Sequence, residues 1–116
     1  MKGAMVLHKN LTHERWFKFS LIEQLANVET DIDRAIQAKN NQGIEASHAA
    51  FRRALELLDA TISDPKNNNH RIKELLMTRD ALKDYFLYNN EYRTTDKIWQ
   101  DYFYQFNYAA ALQNGK

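Results

Sequence analysis

Few residues of this chain could carry chemistry, and two of them stand alone on apolar helical stripes. His48 and Arg79 each interrupt such a stripe. A buried guanidinium needs acceptors or a carboxylate, because an unpaired charge in a core is costly. We therefore predict a polar contact inside the core that involves His48 and Arg79. The carboxylates available to it are Asp33, Glu56 and Asp84. A small enzymatic site around this pair is the alternative hypothesis.

A metal or nucleophilic centre is not indicated. Glu45 and His48 form one Glu-x-x-His pair, whereas di-metal bundles of the ferritin type use two such pairs and two further carboxylates. The other histidines are His8, His13 and His70. The chain has no cysteine, and its three glycines stand far apart, which excludes thiolate chemistry and a glycine-rich phosphate loop. We predict no catalytic residue, no metal and no cofactor, and thus a protein that is not an enzyme.

A modest basic patch lies near the N-terminus. Lys9, His13, Arg15 and Lys18 accompany a single acid, Glu14. Such a patch can contact nucleic-acid phosphates, which makes a nucleic-acid-associated accessory protein one hypothesis. The alternative is a solvated chain terminus. The net charge of +1 provides no overall attraction to nucleic acid or to acidic membranes.

Aromatic residues concentrate in the C-terminal third, where all six tyrosines lie between Tyr85 and Tyr108. Several of them point in every direction around one helix, and a single stripe cannot bury them all. Because tyrosine combines apolar area with a hydroxyl, we predict an interface with a second copy or with another protein. Half-buried positions at the core margin are the alternative. The candidate interface residues are Trp99, Tyr102, Phe103, Tyr104, Phe106 and Tyr108.

The elements that position these residues are predicted to be helices over residues 12–39, 44–63, 70–88 and 95–112. In the first of them, apolar residues recur at spacings of three and four, as on one face of an α-helix. Thr12 can cap that helix, and Gly43 can end the polar break after it. Asp64 and Pro65 end the second helix, since the residue before proline avoids the α region. The apolar stripe of the first helix is Phe17, Leu21, Leu25, Val28, Ile32 and Ala35.

Three glycines and one proline are too few for the turns of a β-protein, which indicates an all-α fold. We predict one domain over residues 1–116, built as an antiparallel four-helix bundle with up-down-up-down order. Two tandem helical hairpins are the alternative. No apolar run is long enough for a signal peptide or a membrane span, so we expect a cytoplasmic protein without membrane contact.

The segments Arg15–Phe19 and Asn107–Ala110, set in this pattern of helices, resemble short bacterial all-helical proteins that are similar in type to the HEPN superfamily. The resemblance implies a bundle of four or five helices that often dimerises. Some members are ribonucleases whose signature is an arginine followed by a histidine after four to six residues. No arginine of this chain has a histidine at that distance, so the resemblance does not imply nuclease activity.

These observations favour a non-enzymatic helical-bundle protein that acts by protein–protein association. We expect the partner to be a second copy, in a homodimer or a higher oligomer, or another protein.

Overall fold

The computed structural model describes residues 4–114, so residues 1–3 and 115–116 of the predicted domain lie outside the described part of the chain. A 3-10 turn at Pro65–Asn67 joins the second and third long helices. An isolated antiparallel bridge between Ala4 and Thr12 closes the N-terminal loop. The helices are α1 (His13–Trp16), α2 (Leu21–Asn40), α3 (Ile44–Ser63), α4 (Arg71–Leu87) and α5 (Asp96–Asn114).

The helix expected over 12–39 is interrupted, and this expectation was wrong. Thr12 caps only the short α1, by accepting a hydrogen bond from the backbone N–H of Arg15. The chain then turns and restarts at Ser20, whose hydroxyl accepts from the Glu23 N–H while the Glu23 carboxylate accepts from the Ser20 N–H. This capping box fixes a new helix start. Phe17 therefore lies outside α2. The later long helices begin and end within two residues of 44–63, 70–88 and 95–112.

The four long helices form an all-α antiparallel bundle. The hairpin of α2 and α3 is central, with α5 packed on α2 and α4 packed on α3. Ser47, early in α3, donates to the carbonyl of Ala35, late in α2. At the other end, Gln24 of α2 donates to Asp64, just beyond α3. Because the outer helices pack on the central pair, the predicted bundle is confirmed and two tandem hairpins are not formed.

The centre of the bundle is apolar and closely packed. Phe51 of α3 stacks on Phe86 of α4, with ring centroids 4.9 Å apart. Each long helix and the short α1 contribute side chains that are almost completely buried, and neither His48 nor Arg79 is among them. The largest of these side chains are Trp16, Phe51, Phe103, Leu25, Ile32, Ile36, Leu58, Leu75 and Leu82.

A buried polar network closes the end of the bundle where α1 lies. Gln24 donates to the Trp16 carbonyl at 3.1 Å and to the Asp64 carboxylate at 2.9 Å. Asn67 donates to the Gln24 side-chain oxygen and to the Thr61 carbonyl, both at 2.9 Å. The Trp16 indole N–H donates to the Thr61 hydroxyl at 3.0 Å. Across residues 4–114, every buried side-chain nitrogen and oxygen has a hydrogen-bond partner.

Candidate functional site

Helix α5 has a core face that accounts for half of the candidate interface residues. Trp99, Phe103, Phe106 and Ala110 are buried against the bundle, at spacings of four, three and four. This is the stripe of an ordinary amphipathic helix. Trp99, Phe103 and Phe106 therefore lie in the core of one chain, where no second copy can reach them.

Tyr102 lies at the margin of that core and ties α5 to α4. Its hydroxyl donates to the Glu74 carboxylate at 2.9 Å and lies 3.3 Å from the Thr78 hydroxyl. Burial, together with the nearby Glu74 carboxylate, raises the pKa of Tyr102 to about 12, although the Thr78 hydrogen bond opposes the shift. Tyr102 thus stays neutral and acts as a tether between two helices.

Tyr104 and Tyr108 lie on the opposite side of α5 and are exposed. Their side chains are 61% and 56% accessible, and the rings stack with centroids 6.2 Å apart. Leu112 follows four residues later and is 62% accessible. We call these three residues the α5 outer face. Tyr104 and Tyr108 are the candidate interface residues that the bundle leaves exposed.

The α5 outer face is also free of charge. Residues 102–114 contain no lysine, arginine, aspartate or glutamate. The groups beside it are the tyrosine hydroxyls, the Gln105 amide and, one turn before Tyr104, the exposed Lys97–Asp101 ion pair. The three residues of the α5 outer face can therefore contact an uncharged partner, with the ion pair at their edge.

A buried carboxylate lies between α2 and α5 close to this face. Glu29 is buried, and Asn107 of α5 donates to its carboxylate at 2.6 Å. Burial raises the pKa of Glu29, the charge of Asp33 raises it further, and the Asn107 hydrogen bond opposes the change. Because the folded-state pKa lies above the unfolded value, the stability contributed by protonated Glu29 is lost as pH rises through that pKa.

Glu29→Gln is expected to raise the melting temperature at pH 7 by a few degrees, because the amide oxygen still accepts from Asn107 without a buried charge. Thermal unfolding followed by circular dichroism measures this shift. The difference from the parent chain should disappear below about pH 4, where glutamate is protonated. Glu91→Gln, on an exposed loop, is the control and should change little. A destabilising Glu29→Gln would contradict the expectation.

His48 and Arg79 do not meet. Arg79 lies near the surface, where its guanidinium binds the Asp59 carboxylate with its Nε 2.5 Å from Oδ1. The predicted carboxylate partners of Arg79 were therefore wrong. His48 is half-buried and lies eleven residues before Asp59 on α3, about 16 Å along the helix axis. The expected polar contact inside the core is replaced by an ion pair at its rim.

The basic patch is spread along the N-terminal loop and α1. Lys9, Arg15 and Lys18 are exposed, and the Arg15 guanidinium donates to the carbonyl of Asn10. His13 is half-buried, and its ring lies edge-on to Phe17 at 6.0 Å. The patch thus offers three exposed cations rather than a shaped groove.

The most elaborate polar cluster of the described chain was missed by the sequence analysis. The Glu56 carboxylate accepts from the backbone N–H groups of Val6, Leu7 and His8. The His8 ring lies between Glu56 and Asp31. These groups are separated by more than twenty residues, so no local spacing could have revealed them. Only the basic character of the N-terminal segment pointed to this region.

Comparisons with family models, with curated proteins and with solved structures find no match for this chain. The resemblance to HEPN-type bundles therefore stays a prediction drawn from the sequence. Among residues 4–114, no three histidine, aspartate or glutamate side chains are grouped so that they could hold a metal ion. In the same part of the chain, no helix is both long and apolar enough to cross a membrane.

Proposed function

We propose that this protein acts by self-association, as a homodimer formed through the α5 outer face. The observation that carries the proposal is the exposed Tyr104–Tyr108 stack, which continues to Leu112 on an uncharged stretch of helix. The bundle has a complete core without these side chains. Their exposed apolar area is therefore surplus to the fold, and such patches are typical of interaction sites.

A second copy is the partner that the chemistry of this face fits best. In a two-fold dimer the same patch meets itself, so any charge at its centre would face a like charge. The α5 outer face avoids that cost because residues 102–114 are uncharged. Each tyrosine hydroxyl can donate to its counterpart and accept from another, so the surface is complementary to itself.

The test is sedimentation of the parent chain and of the double variant Tyr104→Lys, Tyr108→Lys. We expect the parent to dimerise at micromolar concentration. The variant places two cations on each side of the dimer axis and should weaken association by roughly a hundredfold or more.

Tyr92→Lys is the matched control, because Tyr92 is equally exposed but lies on the loop between α4 and α5. It should leave the dimer intact. A parent chain that stays monomeric at 100 micromolar (about the upper limit of a specific weak dimer) would overturn the proposal. Equal dissociation by Tyr92→Lys and the double variant would also contradict it.

A further inference from the structure

The N-terminal segment is held on α3 by one carboxylate and one guanidinium. We call residues Ala4–His8 the N-terminal latch. The Glu56 carboxylate accepts from the backbone N–H of Val6 at 2.8 Å and from those of Leu7 and His8 at 3.0 Å. The Arg53 guanidinium donates to the Leu7 carbonyl at 2.8 Å.

The His8 ring links this latch to a second helix. Its Nδ1 lies 2.8 Å from Glu56 Oε1 on α3, and its Nε2 lies 3.3 Å from Asp31 Oδ2 on α2. The Asp31 side chain is only 6% accessible. Both nitrogens of one imidazole thus face carboxylate oxygens in a partly dehydrated site.

The number of N–H donors on the His8 ring decides whether both hydrogen bonds can form. An ionised carboxylate only accepts hydrogen bonds, and a neutral imidazole has one N–H to donate. A protonated imidazolium has two N–H groups and can satisfy Glu56 and Asp31 together. In the neutral form, one ring lone pair of His8 faces a carboxylate oxygen, which is repulsive.

We infer that the N-terminal latch is a pH-sensitive strap, closed when His8 is protonated and loosened when His8 loses its proton. The imidazolium is the form that can donate to both carboxylates, so the latch is expected to weaken once the ring loses its second proton, and this loss sets the upper limit of the pH window in which the latch is closed. The latch also weakens in stronger acid, where its carboxylates become protonated.

The charged groups around His8 set the acid limit of this window. Burial alone raises the pKa of Glu56, but hydrogen bonds from His8 and from the backbone of Leu7 and Val6 outweigh it, so the net pKa is lowered. Glu56 therefore stays ionised well into the acid range, and its contribution to the latch is lost only as pH falls through that lowered pKa.

Two guanidiniums also face this site. Arg34 lies 3.3 Å and Arg53 lies 3.6 Å from Asp31 Oδ1. They place positive charge beside Asp31, whereas the His8 ring contacts the Glu56 and Asp31 carboxylates directly.

Opening the latch would uncover apolar surface. Met5, a residue of the latch itself, is buried and belongs to the core cluster. The latch also lines a groove together with Leu55 and Ala60 of α3. The titration of one histidine is thereby coupled to the exposure of one face of α3.

Amide hydrogen exchange measured by NMR at pH 5.5 and pH 7.5 tests this inference. The rates of Val6, Leu7 and His8 are divided by their intrinsic rates, which gives protection factors. In the parent chain we expect these factors to fall roughly tenfold at the higher pH, as for the loss of one charge-assisted hydrogen bond. The amide of Leu58, in the core of α3, should stay protected and reports that the fold is intact.

Three variants test whether the pH dependence of these protection factors arises from His8 or from another titrating group. His8→Gln keeps a hydrogen-bond donor but cannot be protonated, so its protection should not depend on pH. His70→Gln changes an exposed histidine at the start of α4 and should behave as the parent does. Glu56→Gln removes the anion and should lower protection at both pH values. Protection in the parent chain that is the same at both pH values, or a pH dependence that His8→Gln retains, would overturn the inference.

Discussion

Phe103→Ala is expected to lower the free energy of unfolding by about 3–5 kcal/mol, the range for removing a fully buried aromatic ring. Phe103 is completely buried on the core face of α5. Its ring lies edge-on to Tyr102 at 5.1 Å and is tilted against Trp99 at 6.4 Å. The substitution leaves a cavity that these rigid neighbours cannot refill. Urea denaturation at low protein concentration measures the loss.

Tyr104→Ala, one position further along α5, is the matched comparison. Tyr104 is exposed, so its removal should change the stability of the isolated chain by less than about 0.5 kcal/mol. It should nevertheless weaken the proposed dimer. Similar losses of stability for both variants would show that α5 does not have one core face and one free face.

Gln24→Leu is expected to cost about 2–4 kcal/mol, although the two side chains have similar volumes. The change removes the buried donor to the Asp64 carboxylate, which keeps only its Lys66 contacts. It also removes one of the two acceptors of the Asn67 amide, which keeps only the Thr61 carbonyl. The Trp16 carbonyl also loses a donor. A network that is only partly satisfied in a region of low dielectric is worse than an apolar one. Chemical denaturation compared with the parent chain provides the measurement.

Asn27→Leu is the control for this substitution, because Asn27 is also an amide on α2 but is exposed and bonds only to the nearby Glu23 carbonyl. It should change stability by less than about 0.5 kcal/mol. If Gln24→Leu proved as mild as Asn27→Leu, the buried network would contribute nothing to the fold.

The same network should make the parent chain sensitive to acid. Burial alone raises the pKa of Asp64, but hydrogen bonds from Lys66 and Gln24 outweigh it and lower the net pKa. The stability that Asp64 contributes is present above its unfolded pKa of about 3.9 and is lost as pH falls through the lowered folded value. Glu29, whose pKa is raised, acts in the opposite direction.

The two ends of the bundle and its outer surface carry the polar features, whereas the centre is mostly apolar. The Gln24 network closes one end, and Asp96 joins α5 to Tyr85, Asn40 and Lys39 at the other. With the interior filled, the free surfaces of α5 and of the N-terminal latch are where this protein can respond to its surroundings.

The break before α2 could have been read from the sequence. Ser20 and Glu23 have the spacing of a capping box, and two oppositely directed hydrogen bonds between them favour a helix start at that point. The apolar stripe concealed it, since Phe17 and Leu21 have the spacing of one helix face. The spacing of apolar residues indicates which residues are buried. Because that spacing can continue across a short break in the helix, it did not reveal where α2 begins.

Other features depend on how the helices are arranged in space. The spacing of Arg79 gave no preference among carboxylates, and Asp59 became its partner because α3 and α4 are antiparallel with a particular register. In the same way, the bundle decides which aromatic residues of α5 are covered. The sequence predicted more aromatic residues on this helix than one core face can bury. The packing of α5 on α2 leaves Tyr104 and Tyr108 as the exposed ones.

The sequence by itself determined that this chain forms long amphipathic helices joined by short polar breaks, because helix periodicity, capping and chain breaks are local properties. The tertiary structure alone decided which distant groups meet. The contacts of His8 with Asp31 and Glu56 join residues far apart in the chain, and their strength depends on burial and on angles that no spacing encodes.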